Sequence, residues 1–370
     1  MSDPVFLRKR TSNLLSSHPS QNIGNMKVDR KTFHFLLDAW AFSGEPDAAG
    51  QAERLVQRME ELPQLQPDVR TYTKLINAIR RSSSQPGSQA DDILQKMKYL
   101  ADTSNPTARP NSYTYTAVVE AHSRDGNAQR CAELVQDMVA QYQAGDESLQ
   151  PTARAFHAAI SAFAREGQAV EAETLFDQME QLYRSGVEAA KPTAVNYNSL
   201  ISAWANGESA RQAEQVLARM EEAYRNGNEA AKPTTVSFNA VIDAYTKSGE
   251  DGAAEKAEQV LRYMEELYET GTNLDAKPNV RSFNSVINAW AKSREENAAW
   301  KAQDMLDLME KLYEQGNLEV RPDAHSFCTV INGTSIHPRG SRGEGLLSHH
   351  SCSVGQESGL LESRESQESV

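Results

Sequence analysis

Residues 192–232 read PTAVNYNSLISAWANGESARQAEQVLARMEEAYRNGNEAAK, and residues 233–277 read PTTVSFNAVIDAYTKSGEDGAAEKAEQVLRYMEELYETGTNLDAK. Both segments begin with Pro-Thr and have an aromatic residue five positions after the proline, Tyr197 or Phe238. Both then have an alanine six residues after the aromatic and a methionine in their second half. Two such segments placed end to end indicate an internal repeat, and a repeat of this length predicts a stacked array.

The same pattern recurs along most of the chain. Seven Pro-Asp, Pro-Asn or Pro-Thr pairs precede aromatic residues, and Val28 takes the place of the proline in the first unit. Consecutive aromatic residues lie 39 to 45 positions apart. The aromatic column is Phe33, Tyr72, Tyr115, Phe156, Tyr197, Phe238, Phe283 and Phe327.

Each unit contains two helical patterns. An aliphatic residue, an alanine and usually a large residue follow the aromatic at offsets of four, six and seven, which places them on one face of a first helix. A second helix carries a small residue and, seven positions later, a methionine. A methionine column can form an adaptable binding surface, but this spacing favours inter-repeat core. The methionines are Met59, Met97, Met138, Met179, Met220, Met264 and Met309. Since neither helix can bury its stripe alone, the units must stack as an α-helical solenoid.

Composition limits the classes of function. The chain has 370 residues and a formal net charge of −13, and no apolar run approaches the roughly 18 residues that span a membrane. Cys131, Cys328 and Cys352 form no CxxC pair, which argues against a zinc site. His34 and His157 have no second ligand at helical spacing, so we expect no metal and no cofactor.

The periodicity divides the chain into three parts. Residues 1–25 are Ser-rich with Arg8, Lys9 and Arg10, and we expect a segment that is transit-like or disordered. Residues 26–332 hold seven repeats and part of an eighth. The pattern stops near Asn332, and the Ser-, Gly- and Glu-rich residues 333–370 are expected to be disordered, or to reflect frame loss or intron read-through in the gene model.

The repeats resemble those of the pentatricopeptide-repeat (PPR) family over residues 26–332. The similarity lies in segments such as TVSFNAVIDAYTKSGE, AEKAEQVLRYME and the closing Lys-Pro-Asn, with the same arrangement in AVNYNSLISAWANGE and ARQAEQVLARME. The units average about 41 residues, whereas 35 is typical of the family. The resemblance implies an all-α, right-handed superhelical solenoid of about seven helix-hairpin repeats that binds single-stranded RNA along its concave face.

The resemblance also implies which residues contact RNA. A first reader follows the aromatic, a second reader follows the closing proline, and a residue two before the aromatic packs against the base planes. The first readers are His34, Thr73, Thr116, His157, Asn198, Asn239 and Asn284. The second readers are Asp68, Asn111, Thr152, Thr193, Thr234, Asn279 and Asp323. The stacking column is Lys31, Arg70, Tyr113, Arg154, Val195, Val236 and Arg281.

Family pairings imply base preferences for four units. Thr73 with Asn111 implies adenine, Asn239 with Asn279 a cytosine-leaning pyrimidine, Asn284 with Asp323 a uracil-leaning pyrimidine, and Asn198 with Thr234 weakly a pyrimidine. The pairs that begin with His34, Thr116 and His157 depart from the common ones. From the residues alone, another interpretation stays open: Asp, Asn and Thr after proline are good helix N-caps, and Asn or Thr early in a helix can bond its own backbone.

The charge distribution leaves two classes of function. Fifteen-residue windows over the first helices sum to +7, so the rest of the chain carries −20. The leading hypothesis is a non-enzymatic protein that binds single-stranded RNA in mitochondrial or chloroplast RNA processing, stability or translation, with other RNA-processing proteins as partners. The alternative is a protein-binding scaffold, which the acidic balance favours. Neither a small-molecule substrate nor a membrane is expected, and the deaminase pattern that some family members carry is absent.

Overall fold

The computed structural model describes residues 4–16 and 29–336, and every regular element in these ranges is a helix. The α-helices are α1 Pro4–Ser16, α2 Arg30–Ala41, α3 Ala48–Glu60, α4 Val69–Ser82, α5 Pro86–Thr103, α6 Ser112–Asp125, α7 Ala128–Gln143, α8 Ala153–Glu166, α9 Ala169–Arg184, α10 Ala194–Asn206, α11 Ala210–Arg225, α12 Thr235–Ser248, α13 Ala253–Glu269, α14 Val280–Lys292, α15 Ala298–Glu314 and α16 Ala324–Ile336. Short 3-10 helices occupy Pro63–Leu65, Pro106–Ala108, Glu147–Leu149, Glu188–Ala190, Glu229–Ala231, Leu274–Ala276 and Leu318–Val320.

Each repeat is a helical hairpin. The even-numbered helices α2 to α14 are the first helices of the seven units, and the odd-numbered helices α3 to α15 are the second helices. Each even-numbered helix from α4 to α16 begins two residues after a proline, because the proline holds its own φ and the next residue is extended and caps the helix. The predicted order of first helix, turn and second helix is confirmed in all seven units.

The helices form two layers. Consecutive first helices pack directly on each other from α2 through to α16, whereas each second helix packs mainly on the first helix of its own unit and of the next. The backbones of the second helices are therefore spread further apart than those of the first helices. An array with this spacing curves toward its first-helix layer, so the chain is the all-α helical-repeat superhelix that the sequence predicts.

The core follows the repeat columns. All seven column methionines are fully buried, so the prediction of inter-repeat core is confirmed. The alanines six residues after each aromatic are also buried, and they allow consecutive first helices to approach closely. These alanines are Ala39, Ala78, Ala121, Ala162, Ala203, Ala244 and Ala289.

The connections after α9, α11, α13 and α15 each begin with a glycine in a left-handed conformation. Gly186 follows α9 with φ of +99°, a left-handed conformation that glycine adopts without strain. The 3-10 helix Glu188–Ala190 follows, and Ala190, two residues before Pro192, is fully buried. Gly227, Gly271 and Gly316 have positive φ at the corresponding positions.

The two ends of the described chain differ from the repeats. Within the N-terminal segment 1–25, residues Pro4–Ser16 form α1, and Trp40 donates from Nε1 to Oγ1 of Thr11 at 2.8 Å. At the other end, α16 runs past Asn332 to Ile336. The expected tail after residue 336 lies outside the described residues, and the transit-like interpretation and the domain boundaries stay predictions.

The alanine column gives a test of the packing. Ala162 is fully buried in α8, so Ala162→Leu should lower the free energy of unfolding by about 1–3 kcal/mol through overpacking. Urea denaturation followed by circular dichroism measures the change. Ala218→Leu makes the same substitution at an exposed site of α11 and should stay within about 0.5 kcal/mol of the wild type. Equal losses in the two variants would contradict this account of the column.

Candidate nucleic-acid interface

The second readers lie at the start of the first helices, where their side chains cap the backbone. The Asp68 Oδ1 atom accepts from the backbone N–H of Thr71 at 2.9 Å, and Oδ1 of Asn279 accepts from Ser282 at 3.1 Å. Such caps stabilise a helix by about 1 kcal/mol. The capping interpretation that the sequence leaves open is therefore correct for these residues, and it also fixes their positions along the first-helix layer.

The other second readers occupy equivalent positions. Asn111, Thr152 and Asp323 accept from the backbone N–H three residues later. Thr193 and Thr234 are held by the side chain three residues later instead, since Asn196 Oδ1 accepts from Thr193 Oγ1 at 2.6 Å and Ser237 Oγ accepts from the Thr234 backbone N–H at 3.1 Å. All seven second readers are thus held at one type of site.

Three of the seven predicted reader pairs meet directly across neighbouring repeats. His34 Nε2 lies 3.5 Å from Asp68 Oδ1. The side-chain amide of Asn239 donates to Asn279 Oδ1 at 3.5 Å, and that of Asn284 donates to Asp323 Oδ1 at 3.2 Å. The close packing of consecutive first helices therefore brings a residue early in one helix to the cap of the next.

The pair of Thr73 and Asn111 is connected through a third side chain. Thr73 Oγ1 lies 3.0 Å from Thr114 Oγ1, which in turn donates to Asn111 Oδ1 at 3.3 Å. Thr73 also donates to the carbonyl of Val69 in its own helix at 2.7 Å. The predicted adenine reader thus contacts its partner's cap network while it bonds its own backbone.

The first readers of the other three units have different partners. Thr116 Oγ1 donates to the carbonyl of Ser112, which is the local back-bond that the sequence leaves open. His157 Nδ1 lies 3.1 Å from Ser199 Oγ, and burial lowers the pKa of this histidine, which favours the neutral imidazole at pH 7. The structure does not place Asn198 in a hydrogen bond with Thr234.

Two first readers have an unused acceptor. The Oδ1 atoms of Asn198 and Asn239 are buried and have no hydrogen-bond partner. A buried polar atom left unsatisfied costs about 1–3 kcal/mol, so native structures rarely keep one without a reason. Both atoms are closed to solvent, so in this conformation they are not themselves contact points for a ligand.

The carboxylates among the second readers are held in the ionised form. Burial raises the pKa of Asp68, but hydrogen bonds from His34 and Thr71 outweigh it and hold the pKa well below its usual range. Burial likewise raises the pKa of Asp323, while Ser326 and Asn284 lower it to a net value below the usual one. Both side chains therefore present negative acceptors to a ligand at neutral pH.

The stacking column forms an exposed stripe along the first-helix layer. The side chain of Tyr113 is 79% exposed, and those of Val195 and Val236 are exposed by more than half. Flat or apolar side chains so open to solvent are available to lie against a base plane. Lys31, Arg70, Arg154 and Arg281 are exposed as well.

A groove of about 740 Å³ connects the predicted columns in the first units. It is formed by α2, α4, α6 and α8, and its walls include readers, stacking residues and three further cations. The lining residues are His34, Asp38, Ala41, Phe42, Val69, Arg70, Thr73, Lys74, Asn77, Arg80, Arg81, Asn111, Tyr113 and Arg154. The groove is basic although the chain as a whole is acidic, because its four arginines and one lysine face a single aspartate.

The sequence analysis missed three asparagines that hold the reader loops. Asn105, Asn228 and Asn273 each donate from the side-chain amide to the carbonyl of the proline that precedes a second reader of the unit before. The N···O distances are 2.7 to 2.9 Å. Their common position, five residues before a closing proline, is the sequence signal that could have identified them.

The described ranges contain neither a cluster of metal ligands nor a helix that could span a membrane. Across residues 4–16 and 29–336, no group of three or more His, Cys, Asp or Glu side chains is arranged to hold a metal ion. None of the helices described there is both long enough and apolar enough to cross a membrane.

Comparison with known proteins places these repeats in a family. The family model described as PPR repeat matches residues 113–141, 154–183 and 236–268, and the model described as pentatricopeptide repeat domain matches residues 183–248. No curated protein sequence matches the chain. The crystal structure of the pentatricopeptide repeat protein PPR10 from maize aligns with a TM-score of 0.48 at 18% identity, covering 91% of this chain and 45% of the maize chain. The chain thus spans less than half the length of that protein.

The fold defines a helical-repeat solenoid whose first helices carry regularly spaced polar pairs. The family-model matches fall on the same register as the buried columns, which continue on both sides of them. These matches identify residues 113–141 and 154–268 as pentatricopeptide repeats.

The cap at Asp68 generates a pH prediction. Asp68→Asn keeps a good N-cap but removes the charge, so it should lower the free energy of unfolding at pH 7 by about 0.5–1 kcal/mol. Because the pKa of Asp68 is depressed in the folded state, its contribution is present above the unfolded-state pKa and is lost as the pH falls through the folded-state pKa. The difference between wild type and variant should therefore shrink progressively below about pH 4.

Urea denaturation at pH 7, 4 and 2.5 measures this difference. Asp102→Asn, at an exposed position in α5, is the control for removing a carboxylate elsewhere. A wild-type advantage over Asp68→Asn that does not change with pH would rule out the electrostatic account of this cap.

Proposed function

We propose that this protein binds single-stranded RNA along its first-helix layer, with one base held between consecutive repeats. The observation that carries the proposal is the direct contact of predicted reader pairs across neighbouring repeats, at 3.5 Å between Asn239 and Asn279 and at 3.2 Å between Asn284 and Asp323. Exposed stacking side chains lie on the same first helices. Such pairs of amide and carboxylate groups can address the edge of one base per repeat.

The electrostatics favour selective binding with modest non-specific affinity. The first helices carry a net charge of +7, although the net charge of the whole chain is −13. The groove in the first units concentrates its cations next to Tyr113. Phosphate contacts supply most of the sequence-independent affinity of nucleic-acid binders, and that affinity falls steeply with salt. With few uncompensated cations, a larger share of the binding free energy has to come from stacking and base-edge contacts.

The matches to pentatricopeptide repeats support a role on organelle transcripts. We infer that the protein acts without catalysis, by covering an RNA segment in mitochondria or chloroplasts and so affecting its processing, stability or translation, together with other RNA-processing proteins. The acidic residues outside the first helices favour a second function, in which the array is a scaffold for a protein partner. Displacement of a bound partner by single-stranded RNA would separate the two.

The first test is enrichment from a random single-stranded RNA pool by the full chain, at two salt concentrations, with a matched DNA pool as control. The reader pairs predict an enriched core with adenine toward its 5′ end and a pyrimidine, a cytosine and a uracil toward its 3′ end. Failure to enrich RNA over DNA, even at low salt, would contradict the proposal and favour the scaffold.

A reciprocal swap tests the reader positions inside one chain. Asn279→Asp turns the pair of Asn239 with Asn279 into the pair type of Asn284 with Asp323, so it should shift the preferred base at that position from cytosine to uracil. Because Asp and Asn cap helices equally well, the fold of α14 should be unaffected. Asp323→Asn should produce the opposite shift, from uracil to cytosine, at the following base.

Both shifts are measured as the ratio of affinities for two RNAs that differ at one base. Each substitution is expected to change this ratio by about fivefold or more. Urea denaturation of each variant controls for folding. If both variants keep the wild-type preference while still binding RNA, these caps do not read bases.

A further inference from the structure

A column five residues after each aromatic varies together with the stacking residue of the next repeat. Every arginine of the stacking column is preceded by an acidic residue in this column, and both valines are preceded by serine. The successive pairs are Asp38 with Arg70, Asn77 with Tyr113, Glu120 with Arg154, Ser161 with Val195, Ser202 with Val236, Asp243 with Arg281 and Asn288 with His325. The acid thus appears where a stacking cation follows it, and neutral residues appear elsewhere.

The contacts at Glu120 show what the acid does. Arg154 donates from Nε and Nη2 to the two oxygens of Glu120, and the Nη2–Oε2 distance is 3.1 Å. Glu120 is 14% exposed at its side chain, whereas Arg154 is 67% exposed. A guanidinium held by a two-point pair has its plane fixed, so the carboxylate occupies its edge and the faces of the exposed Arg154 side chain stay available.

Glu120 also holds a second cation from the repeat before. Arg80 Nη1 lies 3.1 Å from Glu120 Oε2, and Arg80 donates from Nη2 to Asn77 Oδ1 at 3.2 Å. Burial lowers the pKa of Arg80, while the charge of Glu120 raises it. The positive charges of Arg81, Arg154 and Arg124 lower it further. One carboxylate therefore offsets a local concentration of arginines on the groove wall.

Asp243 also pairs with a stacking arginine, near the other end of the array, through one hydrogen bond. Arg281 donates from Nη2 to Asp243 Oδ2 at 2.6 Å, and Ser285 donates from Oγ to Asp243 Oδ1 at 2.6 Å. Arg281 is 70% exposed and Asp243 is 26% exposed at the side chain. In the first unit Asp38 pairs with Lys74, one helical turn after Arg70, so the acid neutralises a groove cation there as well.

We propose that Glu120 and Asp243 are positioning residues for RNA, which hold Arg154 and Arg281 as flat stacking surfaces and keep them from binding phosphates. This inference rests on the proposed RNA binding and adds a specificity-determining column to it. An arginine that is paired with a carboxylate contributes its planar face to a base but little net charge to the backbone. The acidic residues of this column therefore lower the sequence-independent affinity for RNA and increase the discrimination between bases.

Substitution of the acids should raise the sequence-independent affinity for RNA and lower the discrimination between bases. Glu120→Gln frees Arg80 and Arg154, and Asp243→Asn frees Arg281. Each freed arginine that binds a phosphate should steepen the slope of log K against log salt by about 0.7. The slope should therefore steepen by up to about 1.4 in Glu120→Gln and by about 0.7 in Asp243→Asn. Affinity at low salt should rise, while discrimination between the RNA that the wild type enriches and a scrambled RNA of equal composition should fall by roughly fivefold or more.

Glu133→Gln is the matched control. It removes one acid from α7, where Glu133 pairs with Arg130 at 3.0 Å, so it changes the net charge of the chain equally but acts on a second helix. Equilibrium binding of the full chain to both RNAs at four salt concentrations gives the slope and the discrimination for wild type and each variant. Thermal unfolding of each variant confirms the fold, and Asp243→Asn tests the inference independently in another repeat.

The outcomes separate the inference from the proposed function. A steeper slope with lower discrimination in Glu120→Gln and Asp243→Asn, but not in Glu133→Gln, supports the positioning role. If the wild type binds RNA and all three variants share one slope and one discrimination ratio, the positioning role is overturned and RNA binding stands. If the wild type binds neither RNA, both the inference and the proposed function fail.

Discussion

The close approach of consecutive first helices is the constraint on which the rest of the structure depends. Small residues at the alanine column let these helices pack directly on one another while the second helices spread apart. This spacing brings a residue early in one first helix within hydrogen-bond distance of the cap of the next, as at Asn284 and Asp323. A larger residue in the column would strain the core. It would also separate the two members of each polar pair. Core packing and the geometry of the interface are therefore set by the same contacts.

Helix capping restricts the chemistry that the interface can use. The residue after each closing proline has to stop the extended segment and satisfy the first backbone N–H groups of a helix, so Asp, Asn and Thr are favoured there on folding grounds alone. One oxygen of Asp323 or Asn279 is used by the cap. What remains for a base is the second carboxylate oxygen of Asp or the amide NH₂ of Asn, which have opposite hydrogen-bonding character. A swap between these two residues can therefore change recognition while it leaves the helix start intact.

The sequence was sufficient for the parts of the structure that repeat. The hairpin order, the buried methionines and the glycine stops after the long second helices all follow from columns that recur in register, since a recurring position must have a recurring environment. The hydrogen bonds of Asn105, Asn228 and Asn273 could not be predicted in the same way, because they join loops of different repeats and need the distance between those loops. Helix α1 was not predicted either, since residues 4–16 lie outside the periodic pattern, yet Thr11 meets Trp40 of the first repeat.

The small positive charge of the first-helix layer has a structural explanation that composition alone does not give. A groove made only of uncompensated arginines would bind any polyanion, since phosphate contacts carry no sequence information. In this protein several cations of the first-helix layer are instead paired with acids from the preceding repeat, as Lys74 is with Asp38, Arg154 with Glu120 and Arg281 with Asp243. An arginine paired in this way keeps its planar face, while the acid offsets much of its charge. Under the proposed RNA binding, affinity would then come mainly from several consecutive bases that fit their repeats together, because paired cations add little sequence-independent attraction to phosphates.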